Sequence, residues 1–176
     1  GHVIRRINHT GNVSTITGGG INTADHILAS EASLNQWIEA MAIGSDGSIY
    51  LLEAYSSPAF PQRIRKIGPD GFIHTVVGGG TDKFLSATPV PATSIDLDAQ
   101  PNYDMALDAA GNIYLSRRLS KVTSINFPPF AQTNLVGAIS RVTPDGMLQN
   151  IVGGHFLSGP GQGGGLDDEG REGQPA

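Results

Sequence analysis

Three stretches of this chain are copies of one phrase, and they recur in register. The first runs from Val3 through Arg5-Arg6-Ile7 to a turn at Gly11 and on to Ile16. The second is Arg63-Ile64-Arg65-Lys66-Ile67, then Pro69-Asp70-Gly71, then Phe72-Ile73-His74-Thr75-Val76. The third is Ala138-Ile139-Ser140-Arg141-Val142, then Pro144-Asp145-Gly146, then Met147 to Ile151. Each joins two β-prone runs through a turn ending in Gly, and each is followed by Gly-Gly. In the turns Pro presets φ, Asp bonds nearby backbone, and Gly takes the positive φ. A second phrase alternates with the first: Met41 to Leu51 with its turn at Ser45-Asp46-Gly47, and Met105 to Leu115 with its turn at Ala109-Ala110-Gly111. A chain of alternating hairpins is a tandem array, and that fixes the fold class as all-β.

A full unit is therefore four antiparallel strands, a to d. Unit two is expected over about 39–44, 48–53, 63–67 and 72–77, and unit three over about 103–108, 112–117, 138–143 and 147–152. The first unit supplies only c and d, about 3–7 and 12–17. The turn glycines are 60 residues apart (Gly11 to Gly71) and then 75 (Gly71 to Gly146), a spacing that predicts β-propeller blades with insertions. The domain reading is a half blade at 1–20, full blades at 36–80 and 101–155, and a Gly-rich linker at 156–176. Consecutive apolar residues such as Met41-Ala42-Ile43 suit strands buried on both faces.

Composition narrows the function. Gly 24 and Pro 11 among 176 residues fit many tight turns. No apolar run approaches the roughly 18 residues of a membrane span, and the formal net charge of −5 argues against a nucleic-acid surface. With no Cys, disulfides and thiolate metal sites are excluded.

The phrases resemble the NHL-repeat β-propellers. Pro91-Ala92-Thr93-Ser94-Ile95-Asp96-Leu97 is similar to the family's lead-in, Met105 to Tyr114 to its Val-Ala-Val-Asp-x-x-Gly-Asn-Leu-Tyr, and Arg63-Ile64-Arg65-Lys66-Ile67 to its Arg-Ile-Arg-Lys-Val. Gly44 stands where the family usually has Asp. The chain looks closest to bacterial surface or secreted propellers, including those of teneurin-like and YD-repeat proteins. The resemblance implies a ring of about six blades, of which two and a half are present. The reading is thus a fragment, with chain expected before Gly1 and after Gln174-Pro175-Ala176, which resembles the start of another lead-in.

In an up-and-down blade the a–b and c–d turns fall on one face. The long connections, 18–38, 54–62, 78–102, 118–137 and 153–176, fall on the other, which is the expected binding face. Phe60 beside Pro58 and Pro61, and Phe127, Pro128 and Phe130, are candidate apolar contacts for a protein partner. Trp37 and Tyr103, at the entries to the a strands, add a weaker glycan-binding option. Glu39, Asn102 and Asp104 lie nearest a channel mouth, where their oxygens could hold Ca²⁺; no other cofactor is expected. His74 is expected in a solvated or structural role, and His26, in the first linker, carries no assignment. Arg6, Lys66 and Arg141 share one repeat position and are expected to snorkel or pair with carboxylates. No nucleophile elbow, His-Glu-x-x-His or phosphate loop is present.

The function read from the sequence is a non-catalytic scaffold or binding module of an extracellular or cell-surface protein. Its partners are another protein, copies of itself or the remaining blades. The alternatives are a propeller lyase or hydrolase with a metal in the channel, or a glycan-binding propeller.

Overall fold

The computed structural model describes residues 2–54, 61–82, 88–97, 104–124 and 131–153, with side chains described except at 117–124 and 131–136. The chain is all-β. A hairpin of β1 (Val3–Ile7) and β2 (Val13–Gly18) precedes two five-stranded antiparallel sheets. The first sheet holds β3 (Ile27–Leu28), β4 (Trp37–Ile43), β5 (Ile49–Ala54), β6 (Arg63–Ile67) and β7 (Phe72–Gly78), in the spatial order β3-β7-β6-β5-β4. The second holds β8 (Val90–Pro91), β9 (Asp104–Leu107), β10 (Ile113–Ser124), β11 (Ala131–Val142) and β12 (Met147–Gly153), in the order β8-β12-β11-β10-β9. The two orders are the same.

The expected strands a to d are β4 to β7 and β9 to β12, within one or two residues at most ends. Gly11, Gly47, Gly71, Gly111 and Gly146 all take φ between 81° and 84°, the left-handed turn conformation that favours Gly. Each c–d hairpin also carries a register shift at one repeat position, at Ile4/Arg5, Ile64/Arg65 and Ile139/Ser140.

Two expectations need correction. Each unit has five strands where four were expected, because β3 and β8 add to the outer edges of β7 and β12. Residues 118–137 were expected as a long b–c connection. Instead Ile113–Ser124 pairs with Ala131–Val142 throughout, from Ile113↔Val142 to Ser124↔Ala131. The sequence from Ser116 to Ser124 lacks a regular apolar alternation, and the backbone pairing continues through it.

β5 and β6 are buried nearly throughout, but the burial on both faces expected at Met41-Ala42-Ile43 is not found: β4 alternates exposed and half-buried residues, with Met41 and Ile43 exposed. One core spans the two sheets: Tyr50, Leu52, Ile64 and Val77 of the first meet Met105, Leu115, Val142 and Leu148 of the second. A smaller core lies on the other side of the first sheet, where Leu51, Ile67 and Ile73 meet Ala29, Ala32 and Leu34, with Ile4 and Ile16 packed against them.

Candidate functional site

The segment between β2 and β4 is fixed by charge. Glu53, fully buried on β5, accepts the Arg63 Nε–H at 2.8 Å and the Asn35 N–H at 3.4 Å. Arg65, also fully buried, donates Nη2–H to the Ala24 carbonyl at 2.6 Å and Nη1–H to the Ser33 carbonyl at 3.5 Å. Its Nη2 lies 3.3 Å from Asp25 Oδ1, which also accepts the Thr75 hydroxyl at 3.1 Å. Burial holds the Arg65 guanidinium below its usual pKa and the nearby Arg63 charge adds to this, while Glu53 and Asp25 oppose it. A buried cation next to another is tolerated only with such partners.

In the second sheet the Arg65 and Thr75 positions are Ser140 and Asn150, joined by a buried hydrogen bond of 2.6 Å. The charged device is thus peculiar to the first sheet, and it secures the segment that carries His26. The His26 ring, on a residue with φ of 58°, stacks on that of His74 at 5.3 Å and 5° between planes. Burial lowers the His74 pKa from its ordinary 6.5, and the adjacent His26 and Lys66 lower it further against Asp25 and Asp70. The unfolded chain therefore binds a proton at this site before the folded one does, so stability falls as pH drops below 6.5 towards the folded value. The urea midpoint of the native chain should fall over that window, and His74→Gln should flatten the dependence. A slope that survives the substitution would assign it elsewhere.

At the turn end of the sheets, β4–β5 and β6–β7 meet β9–β10 and β11–β12 around a cleft of about 650 Å³. Asp46, Lys66 and His74 line one side, and Thr143, Pro144 and Asp145 the other. Lys66 Nζ lies 3.4 Å from Asp46 Oδ2 and 5.4 Å from the centre of the Tyr50 ring. The Ser48 N–H and hydroxyl hold the Asp46 carboxyl down at about 2. In the second sheet Asp108 takes the corresponding part: it accepts from Asn112 at 2.7 Å and from the Tyr114 hydroxyl at 3.1 Å. The Asn112 bonds lower the Asp108 pKa, and the Asp108 carboxylate raises that of Tyr114. Lys66 thus pairs with a carboxylate as expected, over a tyrosine face.

Of the sequence candidates, Phe60, Asn102, Tyr103, Phe127, Pro128 and Phe130 lie outside the described residues. Trp37 is exposed and lines an apolar hollow of about 440 Å³ with His2, Val3, Ile4, Gln36 and Ile38. Glu39 is exposed at a register shift between Ile38 and Ala40. Asp104 is exposed at the start of β9 and accepts the Met105 N–H at 2.8 Å. Among the described residues no three His, Cys, Asp or Glu come together in a way that could hold a metal ion. No described helix is long and apolar enough to cross a membrane.

The sequence reading missed the first lead-in. Leu28-Ala29-Ser30-Glu31-Ala32-Ser33-Leu34 does for the first sheet what Pro91-Ala92-Thr93-Ser94-Ile95-Asp96-Leu97 does for the second. Ala29 N–H donates to the Gly71 carbonyl at 2.9 Å, and Ala92 N–H to that of Gly146 at 2.8 Å. The shared Ala and Leu, five residues apart with a Ser or Thr directly after the Ala, were the available signal. Compared with known protein families and with curated proteins, the chain matches none.

Proposed function

We propose that this chain is a non-catalytic scaffold or binding module, part of an NHL-type β-propeller in an extracellular or cell-surface protein, and that it works by protein association. Several features support the propeller reading. Strand order repeats from sheet to sheet, β4 and β9 lie in contact at the inner edges, and side chains of one sheet enter the core of the next. The extracellular or cell-surface placement rests on the resemblance to bacterial surface proteins.

The observation that carries the association reading is the uncovered first hairpin. Ile7 is 70% exposed and Val13 58%, although the same repeat positions, Ile67 and Ile73 in one sheet and Val142 and Leu148 in the other, are at most 4% exposed. An apolar hairpin with a bare edge is a template for pairing. The test is light scattering with small-angle X-ray scattering across a concentration series. Self-association of the 18.4 kDa chain should rise with concentration and be suppressed by Ile7→Lys, with circular dichroism unchanged. A chain that stays monomeric to about 1 mM, the weak end of specific affinity, with or without the substitution, overturns the reading.

A further inference from the structure

We propose that the connection between β2 and β4 carries a proton-operated clasp: His74 in its uncharged form holds Asp25–Leu28 on the outer edge of β7, and acid releases that short segment while the sheet behind it stays folded.

The segment is tied firmly at both ends. On one side the Ser33 N–H donates to the Asn22 carbonyl at 2.7 Å, and Arg65 holds the Ala24 carbonyl at 2.6 Å. On the other, Ala29 is buried in the smaller core and donates its N–H to the Gly71 carbonyl at 2.9 Å. Between these ties the chain has less to hold it. β3 pairs with β7 over two residues, Ile27↔Ile73 and Leu28↔Phe72, and both His26 and Leu28 are exposed. His26 supplies the rest: its N–H donates to the Ile73 carbonyl at 2.8 Å, and its ring stacks on that of His74. Those contacts keep its backbone at φ 58°, a conformation that costs free energy in an L-residue. Loss of the stack removes one of these supports and lets the backbone relax.

The second sheet shows the same edge without the histidines. There β8 pairs with β12 in the same register, Leu148↔Val90 and Met147↔Pro91. Pro89 and Gln149 take the positions of His26 and His74, and neither titrates. The proton-sensitive pair is thus added to an edge that forms without it.

The charges around His74 set the direction. Lys66 stands directly opposite it in the β6–β7 ladder, Arg65 follows one position along, and the His26 ring covers its face. Two carboxylates oppose these, Asp25 and Asp70. Asp25 is engaged by Arg65 at 3.3 Å and by the Thr75 hydroxyl at 3.1 Å, and Asp70 accepts the Phe72 N–H at 3.2 Å. Asp46, beyond Lys66, is engaged by Ser48 and by Lys66 itself. Burial, then His26 and Lys66, hold the His74 pKa below its ordinary value. With the segment away from β7, His74 loses the facing ring and part of its burial, so the open form takes the proton more readily. A proton, like any ligand, shifts the equilibrium towards the form that binds it better. Acid therefore opens the clasp, and neutral pH closes it.

The test is amide hydrogen exchange, followed residue by residue by NMR on the whole chain at about pH 7.5 and about pH 5, on either side of the histidine range. After correction for intrinsic rates, protection of the His26 N–H should fall in acid by about tenfold, within the usual range for coupled equilibria. The Ala29 N–H, and the Ala92 N–H that makes the corresponding bond in the second sheet, should keep theirs. His74→Phe leaves a ring for His26 to stack on and takes no proton, so the amide at position 26 should stay protected at both pH values. His74→Gln, the residue of the second sheet at this position, should likewise abolish the difference, and it serves if His74→Phe does not fold. Three results would overturn the proposal: protection at His26 that does not change with pH, a fall shared equally by Ala29 and Ala92, or a fall that survives the loss of the His74 imidazole. The second of these would assign the pH dependence to unfolding of the whole chain.

Discussion

Replacing Glu53 by alanine should destabilise the chain by about 3–5 kcal/mol, the range for removing one partner of a buried ion pair. The cost comes less from the lost 2.8 Å bond than from what remains. Arg63, 7% exposed, would keep a charge with, among the described residues, a 3.5 Å bond to the Thr23 carbonyl in return, and Arg65 would lose one of the two carboxylates that offset its burial. The urea midpoint measures the effect, with the slope of the transition unchanged if the unfolded state is the same. Two further variants sharpen the test. Glu53→Gln, which keeps an acceptor, should cost less. The double change Glu53→Leu with Arg63→Met should recover much of the loss, because an apolar pair of similar volume carries no desolvation penalty. A loss below about 1 kcal/mol for Glu53→Ala, the level of a surface pair, would mean that water reaches this site.

The second large effect is expected at Gly80. A Cβ there would overlap the Ser94 carbonyl, and Gly20 stands in the same relation to the Glu31 carbonyl. Both glycines also donate N–H bonds across the contact, Gly80 to the Ile95 carbonyl at 3.0 Å and Gly20 to that of Ala32 at 3.2 Å. The neighbour is backbone, so it cannot swing aside as a flexible side chain would. Gly80→Ala should therefore cost about 4 kcal/mol, at the upper end for single substitutions. Gly47→Ala meets no neighbour within 4 Å and should cost only the strain of a positive φ, about 1–2 kcal/mol. Thermal unfolding of the two variants side by side separates close contact from backbone strain. Equal losses would remove the close-contact argument.

Much of the fold is legible in the sequence because repetition doubles each signal. A turn such as Pro69-Asp70-Gly71 is one of many; its recurrence at Pro144-Asp145-Gly146 with the same flanking pattern is what places β6, β7, β11 and β12. The fifth strand is not legible, since two residues (Ile27-Leu28 or Val90-Pro91) carry no period. Nor is the long β10–β11 ladder, whose Ser116 to Ser124 stretch lacks the apolar alternation that marks a half-buried strand. The candidate surfaces divide in the same way. The pairing of Lys66 with a carboxylate follows from its repeat position. The stacking of His26 on His74 does not, because it depends on where the connection between β2 and β4 is tied down, and the ties are a buried arginine and carbonyl groups. Burial of Glu53, Arg63 and Arg65 contradicts the usual exposure of such residues; no pattern in the strand distinguishes them from the exposed Arg5 and Arg6.

The lead-in segments have a consequence for how the chain comes apart. Ala92 to Leu97 precedes the second sheet in sequence and pairs into it through the neighbouring β8, yet it also covers Gly78 and Gly80 at the end of the first. The Ala29–Glu31 turn likewise precedes the first sheet and accepts the Thr17 hydroxyl of β2 at 2.7 Å. The cooperative unit is then not a sheet but a sheet plus the following segment, offset along the chain from the repeat that the sequence displays. Opening one sheet frees the segment tied to it and so withdraws the clasp on the preceding sheet, and local unfolding should spread towards the N-terminus more readily than away from it, in the nearest-neighbour manner of repeat proteins.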